Sequence, residues 1–147
     1  MVRLTGLLLT LRRVLGRRLR SVPVRAAAIV GDVVVISTLT IVGFATHETL
    51  GQTGRLLVTI GSFLVAWAFV VPWFRVVDER TVRRSVWVVP LAWIAAAPLG
   101  AVVRGLVLGI EVSPIFVMVM TVVTGAGLTL WRLILSQVAR RTPTSDD

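Results

Sequence analysis

The chain has 147 residues, of which 56% are hydrophobic and only 16% are charged, and its mean hydropathy is +0.90. A soluble domain of this length keeps about a quarter of its residues charged, so the composition excludes an ordinary soluble fold and favours a membrane protein. The formal net charge is +9, and all 16 basic residues are arginine. These arginines cluster beside apolar segments, which favours the flanks of membrane spans over a nucleic-acid interface.

The counts of cysteine and histidine limit the chemistry of the chain. There is no cysteine, and His47 is the single histidine. These counts exclude disulfides, thiolate metal sites and any metal site built from several histidines of one chain. We therefore expect neither a metal nor a cofactor.

The first segment, residues 1–25, is basic and amphipathic. Its apolar residues share one side of a helical wheel, and most of its arginines lie on the other side. The pattern predicts a helix that lies on the inner membrane surface against anionic lipid. The alternative is a poorly ordered basic tail, because Gly6 and Gly16 weaken a helix. The apolar residues are Leu4, Leu7, Leu8, Leu11, Leu15, Leu19 and Val22.

Four apolar segments follow, each long enough to cross a hydrocarbon core, which takes about 20 helical residues. Because backbone polar groups in lipid must be satisfied within each span, the segments predict an all-α bundle of four transmembrane helices over residues 26–135. A polar C-terminal tail is expected at 136–147. The spans run from Ala26 to Thr46, from Leu56 to Phe74, from Val86 to Leu108 and from Val112 to Ile134.

The distribution of arginine predicts the orientation of the bundle. Seven arginines precede the first span, four lie between spans two and three, and two follow span four, whereas the other two loops offer only Arg55 and Arg104. The positive-inside rule therefore places both termini in the cytoplasm and the chain in the cell membrane as a multi-pass protein. Trp73, Trp87 and Trp131 fall at the same inner interface, as in an aromatic belt.

The inward face of each span is predicted from its polar and small residues. Intramembrane charges tend to face the bundle interior, and small residues let helix backbones approach closely. The predicted inward faces are Asp32, Gly43 and His47 on span one; Gly61, Ala68 and Pro72 on span two; Ala97, Ala101 and Arg104 on span three; and Thr121, Gly125, Leu128 and Arg132 on span four.

Depth along the helices predicts an inner polar pair. Asp32 lies about six residues, or roughly 9 Å, above the start of span one. Arg132 lies near the cytoplasmic end of span four, and its long side chain can reach upward. The sequence therefore predicts an ion pair between Asp32 and Arg132.

A second, outer polar cluster is predicted where Arg104 lies level with His47 and Glu48 and close to Glu111. Two interpretations apply to both clusters. In the first, they are structural contacts that fix helix register and rotation. In the second, they line a path for an ion, a proton or a small solute, and His47 exchanges protons near neutrality.

Several short motifs resemble one family of membrane proteins. They are Asp32 with "VGFATH" at the end of span one, "AWAFVVPW" in span two, "PLGAVVRG" in span three, and "IFVMVMTVV" followed by "LWRL" in span four. The order and spacing of these motifs over residues 26–135 resemble those of the domain of unknown function 3054, a group of short four-span membrane proteins of archaea and actinobacteria. The family has no assigned activity, so the resemblance implies a fold and marks Asp32, His47, Arg104 and Arg132, but it implies no reaction.

The sequence favours an integral membrane protein that acts as a structural or accessory bundle and binds lipid or membrane partners. The alternative is a small dimeric transporter or channel whose polar path is lined by Asp32, His47, Arg104 and Arg132. An enzyme is disfavoured, because no nucleophile, base and orienting group come together. The predicted partners are the lipid bilayer, anionic lipid at residues 1–25, and a second copy or another membrane protein, with no nucleic acid.

Overall fold

The computed structural model describes residues 24–47, 51–78, 81–82 and 86–141. Four helices account for most of them: α1 (Val24–Thr46), α2 (Thr53–Phe74), α3 (Val88–Leu108) and α4 (Pro114–Arg141). Each is long and apolar enough to cross a membrane. The described residues contain no strand, so the predicted all-α bundle is confirmed. The basic helix predicted within residues 1–25 lies, except for its last two residues, outside the described part of the chain.

The helix bounds agree with the predicted spans to within three residues, except at the end of α4. Helix α4 continues to Arg141, beyond the predicted end of the span at Ile134. The reason is local, because no proline or glycine interrupts the chain between these two residues and such residues are the usual helix terminators.

The four helices form an antiparallel ring. Each helix packs against its neighbours in the chain, and α1 closes the ring against α4. One end of the bundle, here called the hairpin end, holds the α1–α2 connection at 47–52 and the α3–α4 connection at 109–113. The other, the terminal end, holds the start of α1, the α2–α3 connection at 75–87 and the end of α4.

Aromatic rings fill the centre of the ring of helices. Phe63, Trp67 and Trp93 are all buried. The ring centroid of Trp93 lies 5.6 Å from that of Trp67 and 5.9 Å from that of Phe63. Helix α3 offers small residues to these rings, and a Cβ on Gly100 would lie 2.6 Å from Cδ1 and 3.2 Å from Cα of Phe63. Helices α2 and α3 therefore approach as closely as the missing side chain allows.

The predicted inward face of span two is wrong. Gly61 is half-buried with open space where a Cβ would stand, and Ala68 and Pro72 are exposed. The buried face of α2 instead carries Phe63 and Trp67. The physical reason is complementarity, because α3 supplies the small residues at this contact and α2 supplies the rings that fill the space. Among the inward residues predicted on the other spans, Ala97, Ala101, Gly125 and Leu128 are buried, whereas Gly43 and Thr121 are half-buried.

The outer surface of the bundle is apolar, as expected where lipid is the solvent. Exposed valine, leucine, isoleucine and phenylalanine side chains occur on all four helices. Trp73 and Trp87 are exposed at the terminal end, in the positions of an interfacial belt. Trp131 differs from that prediction, because its ring is half-buried and packs over α1 at Gly31.

Candidate functional site: a buried ion pair and a cationic cavity

A buried ion pair joins helices α1 and α4 in the half of the bundle nearer the terminal end. Asp32 on α1 is 1% exposed, and Arg132 on α4 is 2% exposed. Arg132 Nε donates a hydrogen bond of 2.9 Å to Asp32 Oδ1, and Arg132 Nη2 donates to Oδ2. This two-pronged geometry is the strongest form of an arginine–carboxylate contact. The predicted pair between these two residues is confirmed.

Two further groups complete the hydrogen bonding of the ion pair. Trp67 Nε1 on α2 donates to Asp32 Oδ2 at 3.2 Å, and Arg132 Nη1 donates to the backbone carbonyl of Val76 at 3.0 Å. We call this set of Asp32, Trp67, Arg132 and the Val76 carbonyl the polar lock. It joins α1, α2, α4 and the α2–α3 connection, so it fixes the mutual position of three helices.

The Val76 carbonyl reaches the lock because α2 ends in a tight backbone turn. Arg75 adopts the left-handed conformation with φ of 50°. Its N–H donates to the Pro72 carbonyl at 3.2 Å, and the Val76 N–H donates to the Val71 carbonyl at 3.3 Å, which is the Schellman pattern of a helix C-terminus. This turn buries Val76 completely. Because Val76 lies beyond the end of α2, its backbone carbonyl points toward α4 and accepts the hydrogen bond from Arg132.

A column of aromatic rings connects the polar lock to the other end of the bundle. Trp67 contacts Trp93, Trp93 contacts Phe63, and the Phe63 centroid lies 6.1 Å from that of Phe116 near the start of α4. We call these four residues the aromatic column. Trp93 Nε1 donates to the Met120 carbonyl at 3.2 Å, which satisfies its one polar group.

A cavity of about 200 Å³ lies at the hairpin end, above the aromatic column. Arg104 on α3 is half-buried in its wall. Arg104 Nε donates to Thr59 Oγ1 at 2.9 Å, and its guanidinium carbon lies 4.5 Å from the centroid of the Phe116 ring. The lining residues are Thr40, Gly43, Phe44, His47, Gln52, Arg55, Thr59, Arg104, Phe116, Val119 and Met120.

The outer polar cluster differs from its prediction. Arg104 makes no ion pair with a described carboxylate, and a hydroxyl and a phenyl ring hold it instead. His47 lines the same cavity but is exposed, and Glu111 lies on a separate shallow surface beside Val112. Glu48 lies outside the described residues. The reason is spatial, because the turn after α3 places Glu111 on the outside of the hairpin end.

Sequence reasoning missed the second cation of the cavity. Arg55 stands one turn before Thr59 on α2 and lines the cavity with Arg104. Its Nη1 donates to Gln52 Oε1 at 2.8 Å. The signal was present in the sequence, because Arg55 and Arg104 are the only arginines near the hairpin end. In the sequence analysis, Arg104 was assigned to the outer polar cluster, whereas Arg55 served only to set the orientation of the bundle.

A ring of four apolar helices, held by a buried ion pair, defines a small integral membrane protein. The family described as "Protein of unknown function (DUF3054)" matches residues 29–135, which is well over half of the sequence, and the chain therefore belongs to that family. The match includes Asp32 and Arg132 of the polar lock and Arg104 of the cavity. No curated protein and no solved structure matches the chain.

Proposed function

We propose that the protein is an accessory membrane protein that binds lipid or protein partners in the bilayer and carries no solute across it. The observation that carries this proposal is the separation of the polar lock from the hairpin-end cavity. The rings of Phe63 and Trp93 lie between Trp67 of the lock and the cavity, and Ile36 and Leu128 beside these rings are fully buried.

The polar lock has little capacity left for a solute. Both carboxylate oxygens of Asp32 already accept hydrogen bonds, and every nitrogen of the Arg132 guanidinium donates one. Between the lock and the cavity, the four helices carry no charged residue and no histidine. A transported ion would therefore have to cross a layer of rings without a charged partner, which is costly in a low-dielectric interior.

The proposal includes a location and an orientation. The arginine distribution supports the cell membrane, with the terminal end of the bundle in the cytoplasm and the hairpin end outside. It also treats the protein as a binding protein rather than an enzyme, because Asp32 and Arg132 are committed to each other and the chain has one histidine.

A flux assay tests the proposal against the alternative of a dimeric transporter or channel. The full chain is reconstituted in liposomes, and proton and anion movement are followed with entrapped dyes, with an ionophore added at the end to verify each gradient. The expected flux equals that of liposomes without protein. Protein-dependent flux above this background would establish the transport alternative and overturn the proposal.

A further inference from the structure

We propose that the hairpin-end cavity binds the phosphate group of an anionic phospholipid, with the acyl chains of the lipid lying along α1 and α4. This inference rests on the proposed function and names the ligand of the accessory bundle. It depends on the charge of the cavity, on its depth in the membrane and on its apolar side.

The described wall of the cavity carries positive charge. Arg55 and Arg104 both line it, and none of its lining residues is a carboxylate. Arg104 donates to Thr59 through Nε, and its two terminal nitrogens carry the other four N–H groups of the guanidinium. A guanidinium presents these groups in a planar fork that matches the oxygens of a phosphate. The wall therefore attracts an anion.

The depth of Arg104 matches the phosphate layer of a bilayer. Arg104 lies four residues before the end of α3 at Leu108, which is about 6 Å at 1.5 Å per residue. Its guanidinium lies over the ring of Phe116, the third residue of α4. Its guanidinium therefore stands where the hydrocarbon core meets the phospholipid headgroups.

The apolar side of the cavity favours a lipid over a free anion. Phe44, Val119 and Met120 form part of the wall, and Val119 is 49% exposed on the outer surface of α4. A hydrated inorganic ion gains nothing from these contacts, whereas an acyl chain buries apolar area against them. The volume of about 200 Å³ is below the roughly 300–1,000 Å³ of pockets that enclose a whole small ligand. The cavity therefore takes one polar group, and the rest of the molecule lies outside it.

Native mass spectrometry of the full chain in a maltoside detergent tests the inference. The protein is titrated with dilauroyl phosphatidylglycerol, with dilauroylglycerol, which lacks the phosphate, and with inorganic phosphate. We expect saturable retention of one phosphatidylglycerol, no comparable retention of dilauroylglycerol, and no displacement by inorganic phosphate. Because Arg104 would supply charge-assisted hydrogen bonds, Arg104→Gln is expected to weaken binding by about tenfold or more.

Two further variants separate the cavity from general attraction to arginine. Arg75→Gln removes the same charge from an exposed residue at the terminal end and is expected to change the affinity less than about twofold, as expected for a screened surface charge. Gly43→Leu keeps every charge but places a side chain beside the cavity, where a Cβ meets no atom within 4 Å. We expect it to abolish the saturable binding while the thermal stability stays unchanged or rises. Residues 1–25 are the same in every variant, so any lipid retained there contributes equally to all of them.

Three results would overturn the inference. The first is equal affinity of Arg104→Gln and Arg75→Gln for the lipid. The second is displacement of the lipid by inorganic phosphate, which would make the cavity a site for a soluble anion. The third is binding only after Glu48→Gln, which would mean that the chain neutralises the cavity itself. Absence of lipid binding together with absence of flux overturns only this inference, whereas flux overturns the proposed function.

Discussion

Asp32→Asn is expected to lower the free energy of unfolding by about 3–5 kcal/mol, the cost of removing one partner of a buried ion pair. The substitution leaves the Arg132 guanidinium charged, 2% exposed and without its carboxylate. An arginine cannot shed its charge, so the bundle must bury it unpaired or open to admit water. Titration of the bundle with SDS in mixed micelles, followed by tryptophan fluorescence, measures the loss.

The partner substitution and the double variant are the controls for this prediction. Arg132→Gln is expected to cost less than Asp32→Asn, because an unpaired carboxylate can take up a proton and become neutral. The double variant Asp32→Asn/Arg132→Gln leaves no buried charge and keeps an acceptor for Trp67 Nε1. It is therefore expected to be more stable than Asp32→Asn alone. Equal stability of Asp32→Asn and the unmodified chain would contradict the role of the polar lock.

Gly100→Ala is expected to destabilise the contact between α2 and α3. A Cβ there would lie 2.6 Å from Cδ1 and 3.2 Å from Cα of Phe63, so the backbone as well as the ring must move. Phe63 is fully buried between Trp93 and Phe116, which leaves the ring little room. Overpacking of this kind costs about 1–3 kcal/mol. The same SDS titration measures the effect.

Gly61→Ala is the matched control for this substitution. Gly61 lies on α2 two residues before Phe63, and a Cβ there meets no atom within 4 Å. Both variants gain the same helix propensity, about 1 kcal/mol for alanine over glycine. The difference between their unfolding free energies therefore isolates the packing term at Gly100. Equal stability of the two variants would show that α2 and α3 do not approach as closely as described.

The part of this architecture that depends on composition and periodicity was predictable. Long uncharged segments specify spans, and spans of this length with short connections specify an antiparallel bundle. The pair of Asp32 and Arg132 was also predictable, although the two residues are 100 positions apart. Each is a charge on an apolar helix at the same depth, and lipid leaves such groups few alternatives to each other.

The other contacts of the polar lock were not predictable, because they depend on backbone geometry and on which face an aromatic ring takes. The Val76 carbonyl reaches Arg132 only because Arg75 adopts a left-handed conformation, which arginine seldom does. Trp67 could equally have faced lipid, where tryptophan is common. The inward face of α2 was predicted wrongly for the same reason. Small residues occur on both α2 and α3, and the sequence does not show that those of α3 form the close contact while α2 contributes its aromatic rings.

The partners of Arg104 depended on the shape of the hairpin end. The position of Arg104 along its predicted span placed it level with His47, and both residues line one cavity. Positions along the spans could not show that Glu111 faces outward or that Thr59 and Phe116 contact the guanidinium. A hydroxyl and a ring face are weaker partners than a carboxylate, and neither carries a negative charge. The cavity is therefore cationic, where the sequence predicted a cluster of ion pairs.

Thiol labelling of two single-cysteine variants tests the central claim most directly, namely that a cavity at the hairpin end stops above a sealed core. The chain contains no cysteine, so Ile36→Cys and Gly43→Cys each carry one unique thiol. Ile36 is 0% exposed beside the aromatic column, whereas Gly43 lines the cavity. A membrane-impermeant maleimide is predicted to label position 43 in the intact bundle, and to label position 36 only after unfolding in SDS. Labelling of position 36 in the intact bundle would mean that water passes the rings, and the sealed core would be contradicted.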